Sequence, residues 1–203
     1  MAPRADRDIV AQLVSQCRRG DPQAFEQVFA LYRGPLYAYL ARTTGDRHEA
    51  EDLLQDVFVR LVENLDRYEE SGRFEAWVFR IAANRVRDWA RRRKHAERTA
   101  SAPPGGREND GDGALPGVLD KAVEAPPEGR MIAGEQIRQL ETAMAGLEAD
   151  ERQVLVLRHY GDLSFREIAD IMGSPLGTVL AKSHRALLKL RDKMDRPAAR
   201  SDP

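Results

Sequence analysis

Arg80, Asn84, Arg87, Arg91 and Lys94 recur at i, i+4, i+7, i+11 and i+14, on one side of a helical repeat. A row of cations spaced by helical turns suits a polyanionic backbone, and an amide in its middle can meet a base edge. Aromatic residues nearby offer rings on which unpaired bases stack. A solvated basic helix face is the other reading of the same row. A different chemistry is suggested by His48, Asp52 and Asp56, at i, i+4 and i+8, where one helix of a bundle could hold a metal. That site needs ligands from a second helix, and the chain supplies no matching set. His184 likewise has no second His or Cys at ligand spacing, so neither a metal nor another cofactor is expected.

The elements that must position these residues are helices. The chain has 203 residues, 42% hydrophobic and 32% charged, with a formal net charge of -1. These totals fit one large or two small helical domains and exclude a protein that holds nucleic acid by net charge alone. The charge is segregated: Arg80 to Arg98 is cationic but for Asp88 and Glu97, whereas Asp46, Glu49, Glu51, Asp52 and Asp56 crowd a segment containing only Arg47 in opposition. The single cysteine, Cys17, excludes an internal disulfide and gives no sign of an oxidising compartment. No apolar run approaches bilayer length and the opening MAPRADRD has no apolar signal core, so a cytoplasmic protein is expected.

In chain order, Ile9 to Arg18 reads as a short helix. Asp21 and Pro22 open the next as N-cap and first helical residue, with Phe25, Val28, Phe29 and Tyr32 as its core face. Pro35 is expected to interrupt it, leaving Leu36 to Arg42 as a second piece. Asp46 and Glu49 have capping-box spacing, and Ala50, Leu53, Leu54, Val57, Phe58, Leu61 and Val62 form the core stripe behind them. The opposite face presents Asp52, Gln55, Asp56, Val59 and Glu63. It reads either as a wet face with one exposed Val or as an acidic docking surface for a basic partner. Asp66 to Arg73 is a polar loop, and it leads into a helix over Phe74 to Lys94 with Phe74, Trp77, Val78, Ile81 and Ala82 turned to the core.

From residue 99 to 133 Pro, Gly and acids dominate, the composition of a flexible acidic linker. Helix returns near Gly134, with Ile137, Leu140 and Met144 inward, and Asp150 is expected to cap a helix carrying Val154, Leu155 and Leu157. Ser164 with Glu167 forms a second capping box, Gly173 turns the chain, and Pro175 begins a longer helix. This is a helix-turn-helix pattern, with a plain helical hairpin as the other reading. Val179, Ala186, Leu187 and Leu190 are expected to anchor the second helix. Thr178, Leu180, Ala181, Lys182, His184 and Arg185 face outward, where a recognition helix meets the major groove. Lys189, Arg191 and Lys193 follow as phosphate contacts. The fold class is therefore all-α: two small helical domains, 8–98 and 134–194, joined by a flexible linker, the second a helix-turn-helix.

Two motifs, AEDLLQDVF followed by FEAWVFRIAANRVRDWARRR, and then LSFREIADIMGSPLGTVLAKSHRALLKLR, resemble the extracytoplasmic-function sigma factors of bacterial RNA polymerase, in domains two and four of that family. The resemblance implies that Asp52, Gln55 and Asp56 dock on core RNA polymerase. It implies that Arg73, Phe74, Arg80, Asn84, Arg87 and Arg91 handle the melted −10 element, and that Thr178, Lys182, His184 and Arg185 face duplex −35 promoter DNA. It also implies an anti-sigma factor as partner, a linker threaded through polymerase, and no covalent chemistry by the chain. Two departures stand out. Leu180 and Ala181 occupy positions where the family commonly has a basic residue and Ser, and Leu147-Glu148-Ala149 replaces a Leu-Pro helix start. The alternative is a two-domain helix-turn-helix regulator that does not bind core polymerase.

Overall fold

The computed structural model describes residues 7–99 and 139–195; the linker expected over 99–133 lies almost wholly outside them. In the first half, α1 (Arg7–Arg18) buries Val10, Leu13, Val14 and Cys17, the i, i+3, i+4, i+7 set of an amphipathic helix. Asp21 caps α2 (Pro22–Thr44) by accepting from the Gln23 amide at 2.9 Å.

Helix α2 runs unbroken through Pro35, where the sequence suggested a break. An interior proline costs about 3 kcal/mol through its lost N–H and its ring clash. Leu36 and Leu40, just beyond it, are fully buried and return about 1.5–3 kcal/mol each, so the helix continues. Gly45, at φ 71°, closes it by donating to the Ala41 carbonyl.

Asp46 caps α3 (Arg47–Asn64) through the amides of His48 and Glu49. The Glu49 carboxylate is turned to another task, accepting from the Trp89 indole N–H at 2.8 Å. Ala50, Leu53, Leu54, Val57 and Leu61 are buried as expected. Val62 is exposed, because it lies about 100° further round the helix than Leu61 and outside the stripe. Phe29 is also exposed, at 44%, its ring 4.6 Å from that of Phe58.

A 3-10 turn (Leu65–Arg67) leads through buried Tyr68 to α4 (Phe74–Thr99). Its core face is wider than the periodicity indicated. Phe79, Ala83 and Val86 are buried beside Phe74, Val78 and Ala82, while Trp77 and Ile81 sit at the rim. The helix packs against α2, α3 and α7, so more of its circumference is covered than one stripe can supply.

In the second half, α5 is described over 139–145, where Ala143 is buried and Leu140, expected inward, is exposed. Helix α6 (Ala149–Tyr160) has Glu148 as N-cap, placing Asp150 within its first turn; Val156, not Leu155, joins Val154 and Leu157 in the core. Helix α7 (Phe165–Met172) carries the full Ser164–Glu167 capping box and ends at Gly173, φ 61°. Helix α8 (Leu176–Met194) buries Val179, Ser183 and Ala186. Leu187, expected as an anchor, is 56% exposed, so the small residues alone let α8 seat closely.

The halves share one buried cluster. Tyr39 lies at the junction, edge-on to Phe79 at 5.7 Å, with its hydroxyl accepting from Gln153 Nε2 at 3.0 Å. Burial pushes its phenol up to about 12. The Arg42 guanidinium lies over the Tyr160 ring at 4.9 Å. Among the described residues no helix is long and apolar enough to cross a membrane, and no group of three or more His, Cys, Asp or Glu comes together as a metal site.

Candidate nucleic-acid interface

The outer face of α3 presents Asp52 and Gln55 to solvent. Asp56 is partly engaged, 3.9 Å from Arg60 on its own helix and 3.5 Å from Arg85 on α4. Val59 and Val62 continue the surface as exposed apolar groups. An acidic rim with apolar side chains at its end is the composition of a protein-docking surface.

Around the end of α3, an open basin is lined by Arg60, Asn64, Arg67, Trp77, Arg80, Ile81, Asn84 and Arg85. It holds an aromatic wall, two amides and several guanidiniums, the groups that stack a base, read its edge and hold its phosphate. Of the six residues tied to melted DNA by resemblance, Arg80 and Asn84 meet here. Asn84 Oδ1 accepts from Arg87 at 2.6 Å, which leaves the amide its NH2 donors. Arg87 also donates to the Ile171 carbonyl at the end of α7, 3.0 Å away, and so reaches across to the second half. Arg91 is exposed and pairs with Asp88 at 2.9 Å.

Arg73 and Phe74 lie elsewhere. Arg73 lines a cleft with Gly72, Glu75, Tyr160 and Asp162. Phe74 is 1% exposed and packed among the rings of Tyr32, Tyr68 and Trp77 at 5.5, 5.2 and 5.5 Å. Phe74, expected to meet the melted strand, is enclosed by these three rings, and Trp77 is the ring that lines the basin. Arg60, Asn64 and Arg67 were missed in the sequence, although the i, i+4 spacing of Arg60 and Asn64 placed them on one face at the exit of α3.

On α8, Thr178, Leu180, Ala181, His184 and Arg185 are exposed. Lys182 is different: its ammonium pairs with Asp150 of α6 and its side chain is only 16% exposed. Arg185 and Lys189 both reach the buried Glu151 carboxylate, at 3.4 and 2.8 Å, and Lys189 is 3.8 Å from Glu148. The Lys189 hydrogen bond, helped by Arg185, holds Glu151 below the usual carboxylate range despite burial. A depressed folded value stabilises above the unfolded pKa and is lost as pH falls through the folded one. The Tm advantage of the wild type over Glu151→Gln is therefore expected to be full at neutral pH and to shrink below about pH 4, read from melting curves of the two proteins over an acid series.

The family described as "Sigma-70 region 2" matches residues 28–96, spanning the α3 face and the basin, and "Sigma-70, region 4" matches residues 143–192, spanning the helix-turn-helix. The RNA polymerase sigma factor CnrH of Cupriavidus metallidurans is 31% identical over 94% of this chain and 95% of its own length. The ECF RNA polymerase sigma factor SigW of Bacillus subtilis is 28% identical over 92% of this chain and 97% of its own. The crystal structure of the sigma factor RpoE with the anti-sigma factor NepR, from Bartonella quintana, shares the fold with a TM-score of 0.63 at 21% identity, over 84% of this chain and 96% of that one. A regulator with a helix-turn-helix alone has no counterpart to the region 2 match, so that alternative is not favoured. With both regions in order and relatives matched almost end to end, the chain belongs to the extracytoplasmic-function group of sigma-70 RNA polymerase sigma factors.

Proposed function

We propose that the two surfaces of the first half divide the work of promoter opening. Asp52, Gln55 and Asp56, with Val59 beside them, dock on core polymerase. The basin takes the melted −10 strand, Trp77 stacking a base, Asn84 reading its edge, and Arg80, Arg87 and Arg91 holding phosphates. Phe74 supports Trp77 from behind, and Arg73 marks the cleft side of the same loop. Helices α7 and α8 hold duplex −35 DNA through Thr178, His184 and Arg185, with Lys182 braced against α6. On this reading 8–98 and 134–194 act as separate domains, tethered by 99–133 along polymerase, and the chain performs no covalent chemistry in the cytoplasm where polymerase works.

The observation that carries this reading is the meeting of Trp77, Arg80 and Asn84 in one basin next to the α3 face. A chain of net charge -1 gains little from counterion release by itself, so polymerase supplies most of its hold on DNA. Control by an anti-sigma factor is supported by the RpoE–NepR complex and by the structure of CnrH with the cytosolic domain of CnrY, the latter at a TM-score of 0.57 and 25% identity.

The test is binding to bacterial core polymerase followed by transcription from a genomic fragment library. Tight binding with a defined set of start sites is expected. Asn84→Ala should leave core binding intact and flatten base preference at one −10 position, by about 1–3 kcal/mol of discrimination. Preference unchanged in that variant would remove Asn84 from base reading.

A further inference from the structure

The groove-facing part of α8 is unusual in its chemistry. Leu180 is 45% exposed in the N-terminal half of the helix, flanked by exposed Thr178, Ala181, His184 and Arg185. Two of the cations beside this surface are drawn back, Lys182 to Asp150 and Lys189 to Glu151 and Glu148, while Arg185, 3.4 Å from Glu151, keeps its side chain 56% exposed; together the three cations face three carboxylates. A lysine drawn back to an α6 carboxylate cannot also reach guanine, and the cluster as a whole brings no surplus charge to the groove.

Between Thr178 and His184 the surface is apolar, made by Leu180 and Ala181. On the major-groove edge of the four base pairs, the thymine C5-methyl is the distinctive apolar group. A leucine seated against it loses water on both sides, whereas a leucine seated against guanine O6 and N7 leaves two acceptors dry and unpaired. We propose that Leu180, with Ala181, reads thymine methyl groups, so that the −35 element of this sigma factor carries thymine where the family's basic residue would select otherwise. Leu187 belongs to a different contact: seven residues on, it lies about 10 Å further along the helix axis, beyond reach of the same base step. The inference rests on the placement of α8 against −35 DNA proposed above.

The experiment uses the full chain assembled with core polymerase. Duplexes with a randomised −35 segment are selected for binding, and each thymine of the selected sequence is replaced singly by deoxyuridine, which removes only the methyl group. At one or two positions the wild-type holoenzyme is expected to lose about fourfold in affinity, the worth of one buried methyl-sized group. Leu180→Ala should bind thymine and uracil duplexes alike at those positions, and Leu180→Arg should select guanine there. Leu180 is exposed, so neither variant threatens the fold. Uracil tolerated at every position overturns the proposal, as does a methyl effect equal in wild type and Leu180→Ala at every position, which would take Leu180 out of the reading. Failure to form a holoenzyme would appear before any thymine is altered and would fell the docking assignment, taking this inference with it.

Discussion

Phe74→Ala is expected to lower the unfolding free energy by about 3–5 kcal/mol, the range for removing a large aromatic from a packed interior. The ring is 1% exposed and touches Tyr32, Tyr68 and Trp77, so its loss opens a cavity whose walls come from three different segments. Tyr32 also donates to Glu75 at 2.9 Å, which fixes the start of α4 against α2 and limits collapse into the space. Denaturant unfolding of the two proteins, with slope and midpoint compared, is the measurement. Trp77→Ala serves as the contrast: its ring borders the basin, so single-strand binding by the holoenzyme should fall, by about 1–3 kcal/mol per stacked base. If Phe74→Ala left stability intact while abolishing strand binding, the ring would be a base-stacking surface after all.

Reversing both charges, Asp52→Lys with Asp56→Lys, should weaken binding to core polymerase by at least about 30-fold, from the ~2 kcal/mol lower bound for truncating a buried interfacial charge pair. The fold should survive, because both contacts of Asp56, to Arg60 and Arg85, are partly solvated and such pairs are worth about 0–1 kcal/mol. Titration of labelled core polymerase, alongside melting curves, separates the two effects. Unchanged affinity in a folded double variant would remove this face from docking.

Local signals in the chain were direct guides to the fold. Asp21, Asp46 and Ser164 cap helices because their side chains reach amides two or three residues ahead, and Gly45 and Gly173 close them because φ is positive there. These depend on neighbours in sequence alone. What escaped the pattern depended on partners far away in the chain. Periodicity gives one apolar stripe per helix, so it could not show that α4 is covered on further sides, which is why Phe79, Ala83 and Val86 went unnoticed. Pro35 was read by its local cost, whereas the burial of Leu36 and Leu40 decides. The pairing of Lys182 with Asp150 joins residues on two helices, and only tertiary packing brings them together. The basin was half legible: the Arg80–Asn84 spacing pointed to it, but Arg60, Asn64 and Arg67 enter from the end of a different helix.

The hydrogen bonds from Arg87 to the Ile171 carbonyl and from Gln153 to Tyr39 tie the two halves of the chain together, and of these groups Arg87 is the one proposed above to hold promoter DNA. On that proposal, Arg87 turns from the α7 peptide oxygen to a phosphate when the −10 strand binds. The measured affinity for a −10 strand is then the intrinsic affinity scaled by the fraction of molecules whose halves have parted. Reciprocity follows: whatever keeps them apart loosens any ligand that grips them together, to the same degree. If Arg87 holds the −10 strand as proposed, a second protein that merely clamps α2 to α6 would weaken that hold at a distance, without covering Asn84 or Leu180.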